Sequence, residues 1–346
     1  MKDYSVTLII KFLSKHPNSN IQIISNNLKI SRDTVKSVLD SLHKNKIVIL
    51  NENNNLKTYN LSNIFSHNSI YFNLPISKRN KNIINYLFMT IKKYWLKHNS
   101  GYPPKTHMQK IIFDINKTHN LNLPIGWYKY GAISVVPYNK HTTYTYDINL
   151  VKKEFNKYID SVDKEIENIV KDVSILSLHD IKKRQYELEN NELYLNSLKI
   201  NDILYKDDKL SLVDSNNIKN ISRKIIRETM YIDDGLNDFA NKFYETIVGI
   251  SLIYKNNTNF SEINLRKDIS NIFDSFWNIL SLYNFKKTLD KFYTKEQLDN
   301  AFNIKIEYTK DYFLEMYSEF QDKYVVKDMY ANDPLIIDLI NKLDIN

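Results

Sequence analysis

Between Asn20 and Tyr59 the chain reads NIQIISNNLKISRDTVKSVLDSLHKNKIVILNENNNLKTY, and the period of its apolar residues changes partway along. Ile21, Ile24 and Leu28 recur at helical spacing, as do Val35, Val38, Leu39 and Leu42. Lys29-Ile30 leaves room only for a short turn between the two helices. Ile47–Leu50 and Leu56–Leu61 then read as strands around a polar tip, Asn51–Asn55. Upstream, Leu8, Ile9, Phe12 and Leu13 form a helical stripe over residues 4–15, which Pro17 ends. Ser19 and Gln22 have capping-box spacing for the second helix. Ser31 is a good N-cap for a third helix, Arg32–Asn45, and Asn45 tolerates the left-handed conformation that stops it. The expected order is helix, helix, turn, helix, hairpin.

That order, with Ile24, Leu28, Ile30, Ser31, Thr34-Val35, Leu39, Leu42 and Ile47, resembles the winged helix-turn-helix signature over residues 4–61. The resemblance implies double-stranded DNA as partner, with the exposed N-terminal residues of the third helix in the major groove. Those residues are Ser31, Arg32, Thr34, Lys36 and Ser37. The fork of Arg32 suits the two acceptors on a guanine edge. Lys44 and Lys57 are placed to meet phosphates. Asp33 sits where a carboxylate stabilises a helix N-terminus. Many winged helices hold proteins instead, because fold does not fix function.

Charge favours the DNA reading. Residues 1–149 carry 20 Lys and Arg against 6 Asp and Glu, a net of +14; the remaining 28 basic and 34 acidic residues give −6. The N-terminal half is therefore expected to meet a polyanion and the C-terminal half to do something else. A solvated basic surface without a partner has the same composition.

Residues 65–81 read as a linker, with Lys78-Arg79-Asn80-Lys81 a solvated basic run or, alternatively, an extension of the phosphate-tracking face. A small basic domain follows over 82–149. Its first helix spans 83–98, with Ile84, Leu87, Phe88, Ile91 and Trp95 inward, and a second helix is capped by Thr106. Lys105-Thr106-x-x-Gln109-Lys110 followed by Trp127-Tyr128-x-Tyr130-Gly131-x-x-Ser134 is similar to the Panacea (SocA-like, YwgA-type) antitoxin domain. Here Gly131-Ala132-Ile133-Ser134 stands where that family has Gly-Pro-Tyr-Ser. A second, degenerate winged helix fits the segment too, with Trp127–Tyr130 and Tyr144–Ile148 as its strands. Tyr128, Tyr130, Tyr138, Tyr144 and Tyr146 interleave with Lys129, Lys140 and His141. Such a pattern can stack single-stranded bases, but in a chain with 25 tyrosines it fits core and surface tyrosines better.

Five glycines and seven prolines in 346 residues favour a mainly α protein. Phe155, Ile159, Val162, Ile166, Ile169, Val173 and Leu176 alternate spacings of four and three. Over 150–200 this predicts a helical arm, either a coiled coil that dimerises or pairs with itself, or an amphipathic helix within a bundle. Residues 201–346 read as a helical C-terminal domain: a polar loop over 201–217, helices with a break at Asp233-Asp234-Gly235, and a capping box at Thr294 and Gln297. Asp333-Pro334 opens a last short helix.

No phosphate loop, His-Glu-x-x-His or nucleophile elbow occurs, so no catalytic residue is expected. The chain has no cysteine and its histidines lack zinc spacing, so neither metal nor cofactor is expected. The N-terminal apolar run is broken by Lys11 and lacks a cleavage site, and no segment is long enough to span a bilayer. The expectation is a cytoplasmic DNA-binding regulator and homodimer. A protein-holding antitoxin or adaptor, or a plasmid- or phage-type replication or partition protein, fits the same features.

Overall fold

The computed structural model describes residues 2–44, 47–53, 56–62, 74–155, 158–206, 210–255 and 262–324. Among them lie thirteen α-helices and two two-stranded antiparallel sheets, so the protein is mainly helical. No helix among the described residues is long and apolar enough to cross a membrane. The chain divides into two compact units. Unit 1 takes residues 1–126, 132–178 and 288–308; unit 2 takes 127–131, 179–287 and 309–346.

Unit 1 begins with α1 (Lys2–Lys15), α2 (Ile21–Leu28), α3 (Arg32–Lys44), β1 (Val48–Asn53) and β2 (Leu56–Leu61). Ile9, Ile10, Leu13, Ile24, Val35, Leu39, Leu42, Val48 and Tyr59 form one core. The cap of α2 is Asn20, whose side chain accepts from Ile23 N at 2.9 Å, and not Ser19. Ser19 is used elsewhere: its hydroxyl donates to His16 O, and its carbonyl accepts from Tyr59 N at 2.8 Å, tying β2 to the helices. Lys29 ends α2 at φ +53°, a left-handed conformation that a non-glycine residue adopts at a cost of roughly 1–2 kcal/mol. Ser31 caps α3 through its hydroxyl, 3.2 Å from Thr34 N. Asn45, the expected stop of α3, lies outside the described residues. Strand β1 pairs with β2 in a register that sets Val48 against Leu61, Leu50 against Tyr59 and Glu52 against Lys57.

The rest of unit 1 is built on α4 (Lys78–His98), α5 (Lys105–Thr118), α6 (Ile148–Glu154) and α7 (Ile159–Ser174). Helix α4 starts earlier than its apolar stripe suggests. Ser77 caps it, and the basic run is its first turn, with no linker role. Pro104 holds the cap position of α5 and Thr106 lies inside the helix, so Thr106 is no cap. Strand β3 (Ile125–Tyr128) pairs with β4 (Gly131–Ser134); residues 144–148 are not a strand, and Asp147 there caps α6. Gly131 has φ +93°, which a Cβ would strain. The heptad stretch is not one long arm. Helix α7 ends at Ser174 and buries Val162, Ile166, Val170 and Val173 while packing on α4 and α5. Its seam is covered within the unit, and Ile169 is only partly buried.

Unit 2 contains α8 (Leu178–Leu188), α9 (Glu192–Leu204), α10 (Leu212–Thr229), a 3-10 turn over Asp234–Leu236, α11 (Asn237–Lys255) and most of α12 (Glu262–Thr288). The expected polar loop at 201–217 is instead the end of α9 and the start of α10. Ser211 and Asp214 cap each other reciprocally there. The break at Asp233-Asp234-Gly235 is a turn in which Asp233 Oδ1 accepts from Gly235 N at 2.8 Å. Aromatic rings fill the core: Phe243 stacks on Phe276 at 4.3 Å and 7°, and Trp277 Nε1 donates to Lys129 O at 2.9 Å. The last helix, α13 (Lys295–Tyr324), opens with the expected box: Gln297 N donates to Thr294 Oγ1 at 3.3 Å and Thr294 N to Gln297 Oε1 at 3.1 Å. Its first half belongs to unit 1, where Ile304 and Tyr308 join the core of α1–α3. The short helix expected at Asp333-Pro334 lies outside the described residues.

Candidate nucleic-acid interface

Helix α3 has two faces. Val35, Val38, Leu39 and Leu42 are buried against α1, α2 and β1, which fixes the helix about its own axis. Arg32, Lys36, Ser37 and Lys44 are consequently exposed. Arg32 and Lys36 stand four residues apart, on the same side of the helix. Neither they nor Lys44 form an ion pair among the described residues. Asp33 and Asp40 are also exposed on α3, leaving three cations against two carboxylates. The helix alone is a weak electrostatic surface, and neighbouring cations must contribute if it holds a polyanion.

Three expected contacts have other duties. Ser31 and Thr34 hydroxyls lie 2.8 Å apart, and Ser31 Oγ also accepts from Thr34 N. Both side chains therefore serve the start of the helix. Lys57 projects from β2, and its Nζ is 2.8 Å from Glu52 Oε1 on the facing strand. The hydrogen bond to Glu52, then its charge, hold the Lys57 ammonium above the ordinary lysine value. Lys57 stays cationic, and any other anion has to compete with Glu52 for it.

Lys29 was not singled out by the sequence. It is exposed in the turn that leads into α3. In sequence it reads only as part of a turn. Lys78 and Lys81 are exposed on the first turn of α4, which holds no acidic residue. Cations at that end of a helix oppose its dipole, so they do not serve helix stability. Arg79 beside them is taken by Glu154 and by Leu121 O.

His98, His107 and His119 serve the scaffold. His98 and Lys97 hold Glu167 at 2.9 and 2.8 Å, and these bonds draw its carboxyl down to about 2. His119 contacts Glu165 at 2.8 Å, and the buried His107 meets Leu176 O at 3.0 Å. Of the interleaved tyrosines, Tyr128 and Tyr138 are core residues. Gln109 and Lys110, from the antitoxin-like segment, are buried. Gln109 Oε1 accepts from Ser134 N at 2.8 Å and Lys110 Nζ donates to Ala132 O at 3.3 Å. The helix and the hairpin of that motif thus meet through side chain-to-backbone bonds, a pairing that spacing alone does not reveal.

No family model matches the chain, and neither does any curated protein or solved structure.

Proposed function

We propose that the protein is a cytoplasmic, sequence-specific DNA-binding regulator whose helix α3 lies in the major groove of a duplex. The observation that carries this reading is the division of α3 between a buried apolar face and an exposed face bearing Arg32, Lys36, Ser37 and Lys44. In this reading Arg32 takes a guanine edge, Lys36 and Ser37 contact bases or phosphates, and Lys29 and Lys44 hold the backbone. Lys57 adds a phosphate contact after leaving Glu52. The chain acts as a homodimer on half-sites about one helical turn apart. The experiment is recovery of bound duplex from a randomised pool by the full chain. Enrichment of a defined motif is expected; a pool that stays random contradicts sequence-specific binding.

A second reading is a protein-holding module of antitoxin type. What favours it is the clamp of Gln109 and Lys110 on the Gly131–Ser134 strand, which joins the two segments that carry that resemblance. Co-purification of a stoichiometric protein that survives nuclease, with no duplex retained, selects this reading over the first.

A further inference from the structure

Unit 2 contains a cleft of about 430 Å³ between α8, the C-terminal end of α9 and α12, with Leu198 in its lining. That volume lies within the range of small-molecule sites. A smaller cavity of about 120 Å³ in the same unit provides a contrast. There Asp268 already accepts from Lys323 at 2.6 Å and Tyr324 at 2.8 Å, so its charge is matched.

The larger cleft is not matched in this way. Lys182 of α8 is half-buried, and desolvation lowers its ammonium from the ordinary value while the charge of Asp202 works in the opposite direction. Its Nζ lies 5.6 Å from the centre of the Tyr130 ring and forms no ion pair among the described residues. Asp274 of α12 is also half-buried, and it meets the Tyr205 hydroxyl at a long 3.4 Å. The other charges are already engaged. Asp202 lies 2.9 Å from His179 Nε2, a close approach without hydrogen-bond alignment, and Lys206 holds Asp214 at 2.6 Å. One ammonium and one carboxylate therefore line the same cleft, each partly desolvated and neither neutralised by the other. Partly buried charges are costly until a partner of opposite sign reaches them.

We propose that this cleft binds a small zwitterion of the amino-acid class, its anionic group on Lys182 and its ammonium on Asp274. The apolar part of the ligand lies against Leu198, and the exposed rings of Tyr130 and Tyr205 flank the opening. Asn201 contributes an amide that can both donate and accept.

The test is calorimetric titration of the full chain with the common L-amino acids, one at a time at millimolar concentration. At least one binds. Its N-acetyl derivative, which lacks the ammonium, and its amide, which lacks the carboxylate, each bind roughly tenfold or more weakly, as expected for loss of a charge-assisted bond. Lys182→Met and Asp274→Asn each cause a comparable loss, and Lys183→Met on the same helix does not. Failure of every amino acid to bind overturns the proposal. So does binding of either derivative to the wild-type chain as tightly as the parent amino acid, a result that holds whether or not the variants fold. Wild-type affinity in Lys182→Met or Asp274→Asn does the same.

Discussion

Glu52 and Lys57 sit opposite each other across the β1–β2 hairpin, so a carboxylate already occupies the cation that the proposed duplex contact requires. Glu52→Gln removes that competitor. It is expected to tighten duplex binding a few-fold, because Lys57 no longer has to leave Glu52 to reach a phosphate. An unchanged affinity in a filter-binding titration places Lys57 off the DNA. Lys305 on α13 is a second residue whose environment decides its behaviour. Burial lowers its ammonium from 10.5 to about 7. The unfolded chain then binds the extra proton between those values, so this group makes stability rise with pH across that window. Lys305→Met is expected to be more stable than wild type at pH 7 by an amount on the order of a few kcal/mol. That advantage shrinks toward pH 10.5 in urea unfolding; a pH-independent difference contradicts it. Neither residue was legible beforehand, because one depends on strand register and the other on tertiary burial. Thr294 and Gln297 were legible, since a capping box is complete within four residues. The assignment of Ser19 as a cap failed because Asn20, one residue on, competes for the same role and Ser19 is needed by β2.

At the scale of elements, α3 and β2 follow the sequence closely because their apolar periods and boundaries are local. Strand β4 was missed because four residues, all buried, show no alternation. The start of α10 was missed because it lies in a polar run whose order comes from Ser211 and Asp214. The heptad seam of α7 was visible, but its partner was not; a periodic face says that something covers it and not what. The largest surprise is α13, whose Ile304 and Tyr308 complete a core otherwise built from the first 61 residues. Tyr308→Ala is expected to destabilise the chain by roughly 3–5 kcal/mol, the range for truncating a large buried aromatic side chain. The amides that gain hydrogen exchange in this variant should include those of α1–α3. Loss of protection confined to unit 2 contradicts this packing role.

For the whole molecule, charge and helix content were readable from composition, whereas the division into units was not. The boundary in charge falls near residue 149, but the units interleave along the chain, with 288–308 belonging to the first. Contacts between segments so distant in sequence leave no local pattern to read. The proposed DNA surface rests on cations whose exposure is set by the packing of α1–α3: Lys29 in the turn before α3, Arg32, Lys36 and Lys44 on α3, and Lys57 on β2. The four lysines face phosphates, which makes eight such contacts in the proposed homodimer and a salt slope of roughly −7 on duplex DNA. The most direct measurement is therefore that slope for the wild type and for Arg32→Ala with Lys36→Ala, on a duplex recovered by the full chain. The double variant is expected to bind more weakly and to lose about two units of slope. If it binds as tightly as the wild type with the same slope, α3 is not the recognition helix.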